Sequence, residues 1–84
     1  MPVTSAQLRM ARAALNWTVR DLAQATGLHR NTITNIEVGR YAGDEKSLEI
    51  IEAVLKKAGV VFIDENGGGP GVRLRKAPQH RKRK

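Results

Sequence analysis

Four polar side chains, Arg30, Asn31, Thr34 and Asn35, recur at a spacing that would put them on one face of a helix. A guanidinium offers donors in a rigid fork, and a carboxamide sets a donor beside an acceptor. Both suit a two-point grip on a flat polar edge. Base edges in the major groove of a duplex are such surfaces: Arg matches guanine O6 and N7, and Asn matches adenine N6 and N7. The chemistry on offer is recognition rather than bond breaking. The chain has no cysteine, shows no Ser-His-acid arrangement, and pairs no carboxylates where a pocket is expected. Glu49 and Glu52 read as the wet face of a helix, so an enzyme is not expected. His29 and His80 stand apart with no thiolate nearby, so neither a metal site nor a cofactor is expected. The Gly67–Gly71 run lacks the Lys-Ser/Thr ending and following helix of a phosphate loop, and reads as a turn.

To present such a face, residues 19–38 must form two short helices crossing through a tight turn. Thr18 with Asp21 caps the first of them, whose Val19, Leu22, Ala23 and Thr26 share one face. Ala23 is small where this helix must approach the next. Gly27 supplies the left-handed residue of the turn. The next helix spans about residues 29–38, with Ile33 and Ile36 facing inward and Gly39 closing it. An earlier helix starts at a Thr4–Gln7 capping box, carries Leu8, Ala11 and Leu15 as its apolar stripe, and ends near Leu15. A later one runs from an Asp44 cap to about Ala58 with Leu48, Ile51, Val54 and Leu55 inward. The period then shortens. Val60–Ile63 and Val72–Arg75 read as two strands of a hairpin around a turn-rich loop. An isolated hairpin is marginal in water, so it must pack on the helices or pair with another chain.

The net charge of +7 is unevenly spread. Residues 1–40 contribute +3, residues 41–66 contribute −3, and residues 67–84 contribute +7. Two basic ends around an acidic middle point to a polyanion, with nucleic acid ahead of membrane. The one Trp, one Tyr and one Phe give no aromatic interleaving, which disfavours single strands and RNA. No signal peptide or membrane span is visible, so a soluble, cytoplasmic, nucleoid-associated protein is expected.

Leu22-Ala23, Gly27-Leu28, Thr32-Ile33 and Ile36-Glu37-x-Gly39, with Trp17-Thr18 ahead of them, resemble the Xre/Cro family of lambda-repressor-like helix-turn-helix regulators. The resemblance covers roughly Leu8 to Leu55. It implies an all-α domain of about four helices, here followed by a C-terminal β-hairpin. It further implies specific binding to duplex DNA, usually as a homodimer on a short inverted repeat. The base-reading positions implied are His29, Arg30, Asn31 and Asn35. Backbone amides around Thr18 and Val19 are expected to meet a phosphate, with Arg40 and Lys46 as further phosphate contacts. Arg12 and Glu37 occupy the positions of the family's structural ion pair. Three departures stand out. His29 replaces the usual Ser or Thr cap; it reads equally as a cap that starts the helix less firmly and as an imidazole touching a base or phosphate, with some pH dependence near neutrality. Thr26 sits where an apolar residue is commoner, and Asp44 and Glu45 put an acidic edge near the phosphate loop.

These readings divide the chain into a DNA-binding domain over 1–59, a hairpin over 60–75 able to serve dimerisation, and a disordered basic tail over 76–84. The hairpin's open edges, with Phe62 and Ile63, are the basis for expecting a dimer. Repression of transcription is the expected function. Two other readings share the composition: an antitoxin-like module that binds a protein partner, and a non-specific nucleoid binder driven by the tail.

Overall fold

The computed structural model describes residues 3–75; the tail expected at 76–84 lies outside them. The helix starts follow from local hydrogen bonding. Thr4 Oγ1 accepts from the Gln7 amide, and Gln7 Oε1 accepts from the Thr4 amide, each at 3.0 Å. This reciprocal box opens helix α1, Ser5–Ala14. Asn16, with φ 59°, turns the chain out of the helix, and the Trp17 amide returns to the Arg12 carbonyl at 2.9 Å. Thr18 and Asp21 repeat the box for α2, Val19–Thr26, which ends on Gly27 at φ 78°. Helices α3, Arg30–Glu37, and α4, Glu45–Lys57, follow. Leu15, Val38 and Ala58, read as last helical residues, are the C-caps. Asp44 is the N-cap of α4 without a side-chain capping bond.

Each helix contributes two apolar residues to one core. Leu8 and Ala11, Leu22 and Ala23, Ile33 and Ile36, and Ile51 and Leu55 are all buried, with Val60 from the first strand. Helix α2 packs on α3 and α4, and α1 packs on α3 and the hairpin. Burial of this apolar surface is the main favourable term, and in so short a chain it leaves a modest margin. The loop into α4 must therefore run tight against the core. A Cβ at Gly43, where φ is 86°, would stand 3.0 Å from Ile36 Cδ1 and 3.3 Å from Leu48. Thr26 fits its half-buried site because the hydroxyl is fully engaged. It donates to the Leu22 carbonyl at 2.8 Å and accepts from the Leu28 amide at 3.2 Å.

Strands β1, Val60–Ile63, and β2, Gly71–Leu74, pair antiparallel with Val60 opposite Leu74 and Ile63 opposite Gly71. The second strand thus begins one residue earlier than the alternation of residues 72–75 suggests, because Gly71 joins the ladder. Beyond it the Arg75 amide donates to the Gly59 carbonyl at 2.6 Å. In the connecting loop, Glu65 Oε2 accepts from the amides of Gly67 and Gly69, each at 3.0 Å. The amides of this glycine run thus already hold a carboxylate from their own loop. Phe62 and Val72 lie on one face of the pair and pack against the domain's own core. The hairpin therefore finds its support on α1 and α4 within one chain. Phe62 gives no reason by itself to expect a second chain.

One side chain fastens the hairpin down. The Gln7 carboxamide, 1% exposed, donates through Nε2 to the carbonyls of Ile63 and Gly71, both at 3.0 Å. Its other end is the Oε1 that caps α1. The sequence shows the cap; the clamp joins residues 56 and 64 positions away. Gln7→Glu keeps the acceptor for Thr4 but turns an oxygen toward two carbonyls. It should cost about 3 kcal/mol in urea unfolding, since a buried donor is replaced by an unpaired charge. Amide exchange over 60–63 and 71–74 should accelerate more than over α2 and α3. Equal acceleration everywhere would mean that Gln7 holds nothing particular to the hairpin.

Candidate nucleic-acid interface

Helices α2 and α3 each span eight residues, joined by Gly27, Leu28 and His29. The α3 side chains divide by periodicity. Ile33, Ile36 and Glu37 are buried, whereas Arg30, Asn31 and Thr34 are exposed. No side-chain hydrogen bond within the described residues engages those three, so their polar groups face outward unspent.

His29 begins α3 firmly, against the weaker start that its identity suggests. Its backbone is extended, with φ −72° and ψ 145°, and its Nδ1 accepts from the Asn31 amide at 3.0 Å. With Nδ1 accepting through its lone pair, Nε2 is the ring nitrogen left to donate. Nε2 has no protein partner among the described residues and can donate outward.

The first turn of α2 lies beside α3. Of its leading amides, that of Thr18 donates to Asp21 Oδ2 at 2.9 Å and that of Asp21 to Thr18 Oγ1 at 3.0 Å. The amides of Val19 and Arg20 remain for an external acceptor. The amide end expected at Thr18 and Val19 therefore sits one residue later, because Thr18 is occupied by its own capping box. Thr18, Val19, Arg20, Arg30, Asn31 and Thr34 line an open cleft of about 560 Å³. A second cleft of about 520 Å³ lies on the other side of Arg20 and Arg30, bounded by Gln24, Gly27, Leu28 and His29. Two guanidinium groups thus divide the surface between the helices. Arg20 was not singled out from sequence. The signal available was a cation in the first turn, where the helix dipole favours an anion.

The other expected site residues are less concentrated. Asn35 is half-buried and outside the first cleft. Its Oδ1 accepts from Arg40 Nη1 at 3.4 Å, and its carbonyl accepts from the amides of Arg40 and Tyr41 at 2.9 and 3.2 Å. Asn35 and Arg40, expected to read a base and hold a phosphate separately, meet each other here. Lys46 is exposed in the first turn of α4, beside Asp44 and Glu45 and away from both clefts.

Two arginines fix the pose of this surface. Arg12 grips Glu37 through two bonds, Nε to Oε2 at 2.7 Å and Nη2 to Oε1 at 3.0 Å, and donates from Nη1 to the Trp17 carbonyl at 2.9 Å. The bond to Glu37 holds the Arg12 guanidinium above its ordinary pKa. Arg9 Nη1 donates to the Glu37 carbonyl. The end of α3 and the approach to α2 are therefore held by one helix.

Among the described residues, no cluster of three His, Cys, Asp or Glu is placed to hold a metal ion, and no helix is long and apolar enough to cross a membrane. His29→Ala should remove the α3 cap and cost about 1 kcal/mol by urea unfolding, while His29→Ser should recover most of that loss. Equal stability for wild type and alanine variant would show that the imidazole bond contributes nothing.

A protein-family model described as Helix-turn-helix matches residues 8–60. No curated protein matches the chain. The chain belongs to the Xre/Cro, lambda-repressor-like helix-turn-helix family of DNA-binding transcription regulators.

Proposed function

We propose that this member of the helix-turn-helix family binds duplex DNA sequence-specifically as a small transcriptional repressor, with α3 in the major groove. One observation carries the reading: Arg30, Asn31 and Thr34 are exposed in the same cleft as the α2 amides that lack an internal acceptor. A groove reader needs base-edge donors beside a phosphate anchor that fixes register. Arg30 and Asn31 are the principal base readers. His29 contributes through Nε2, and Asn35 acts at the margin where it meets Arg40. The α2 amides of Val19 and Arg20, with the cations of Arg20, Arg40 and Lys46, hold backbone phosphates.

Repression follows by occlusion, the simplest consequence of a small domain seated on a promoter. A homodimer on a short inverted repeat is part of the proposal and rests on the family relationship. On the chain itself, Val61 and Ile63 are only partly covered on the hairpin face turned from Phe62. In this reading residues 1–59 form the DNA-binding domain and residues 60–75 brace it.

Selection from a random duplex library should yield two inverted half-sites for the wild type. Arg30→Ala with Asn31→Ala should blur the motif, each lost base contact costing about 1–3 kcal/mol at one position. Absence of any motif, with equal binding by both proteins, would exclude specific regulation and leave the antitoxin-like or nucleoid-binding readings. A monomer by sedimentation on its selected site would exclude the dimer alone.

Arg20→Ala should behave differently. Affinity should fall alike on selected and unrelated duplexes, and the slope of log K against log salt should lessen by about one. An unchanged slope would remove Arg20 from the phosphate contacts.

A further inference from the structure

Val38 is the C-cap of α3 and is 57% exposed, more than any other large hydrophobic side chain among the described residues. Its position on the helix makes that exposure informative. The Val38 amide donates to the Thr34 carbonyl at 3.0 Å, so the helical path continues through it. Residues 31, 34 and 38 follow the three-and-four spacing of a single helix stripe. Val38 thus falls in line with Asn31 and Thr34, opposite the buried Ile33 and Ile36. The outward stripe of α3 carries hydrogen-bonding groups at its start and an apolar group at its end.

The major groove presents that same mixture. Its edges carry acceptors and donors, and thymine alone adds a methyl group, which small apolar side chains recognise by contact. We propose that Val38 is a specificity-determining residue that reads a thymine C5-methyl group. This inference rests on the DNA-binding reading above and adds an apolar contact to its polar ones. Seven residues of helix separate Val38 from Asn31, roughly 10 Å along the axis. The thymine it reads is therefore a different base from the one read by Asn31.

The test replaces each thymine of the selected site in turn by deoxyuridine, which removes only the methyl group, and measures affinity for wild type and Val38→Ala. Thermal unfolding of the variant should match the wild type, since so exposed a side chain contributes little to the core. One uridine should weaken wild-type binding about fourfold, the effect of one buried methyl-sized group, and leave Val38→Ala unaffected. Identical uridine profiles for the two proteins would overturn the assignment while specific binding through Arg30 and Asn31 stands. A Val38→Ala variant that binds every duplex as the wild type does but self-associates less would also overturn it, placing Val38 in a contact between copies. If no sequence is selected at all, the assignment falls together with the reading beneath it.

Discussion

The contact between Arg12 and Glu37 is the constraint on which the arrangement depends. Glu37 ends α3 with its side chain only 6% exposed, so its charge could not be buried without a partner. Arg12 supplies that partner through two parallel bonds and uses its remaining arm on the Trp17 carbonyl. One guanidinium therefore ties the last turn of the exposed helix to the segment that leads into α2. The bond to Glu37 raises this arginine's pKa, so the guanidinium keeps its charge throughout the physiological range and loses it only as the pH rises past the ordinary arginine range. The link is a permanent fixture across physiological pH. Arg9, on the Glu37 carbonyl, adds a cation where the helix dipole favours one.

With that pair in place, economy becomes visible elsewhere. Gln7 serves as cap and clamp with the two ends of one carboxamide. Thr26 satisfies a carbonyl and an amide with one hydroxyl. Glu65 fills the amides of its glycine-rich loop with a carboxylate of the same chain, which gives the loop an anion without a ligand. In a chain with few buried side chains, each polar group that must be covered is covered by a neighbour with a second task. This keeps the cost of buried polarity low where the apolar margin is thin.

What could be read in the sequence was what local physics decides. The two capping boxes, the glycine ending α2 and the apolar stripes depend on residues within a turn or two, so they located the helices to within a residue. Arg30, Asn31 and Thr34 were legible as an outward face because their inward neighbours Ile33 and Ile36 were. Contacts set by tertiary closure were out of reach. Nothing near Gln7 announces the carbonyls of Ile63 and Gly71, and the meeting of Asn35 with Arg40 depends on how the chain leaves α3. His29 reads in the sequence equally as a cap or as a contact, and only the extended backbone and the Nδ1 bond to the Asn31 amide show the capping role. The Thr18–Asp21 capping box is equally legible, and in the fold it takes up the Thr18 amide and leaves those of Val19 and Arg20 open.

The side chains of α3 divide into those with duties inside the domain and those with none. His29 and Asn35 hold backbone or a neighbour, and Ile33, Ile36 and Glu37 hold the core. Arg30, Asn31, Thr34 and Val38 carry no such obligation. Substitution at these four positions changes the exposed surface of the domain while leaving its architecture intact, so lineages descended from one ancestor are free to diverge there at little structural cost. Drift at His29 or Asn35 meets resistance from the fold, so the part of this helix open to change without structural penalty comes down mainly to four side chains.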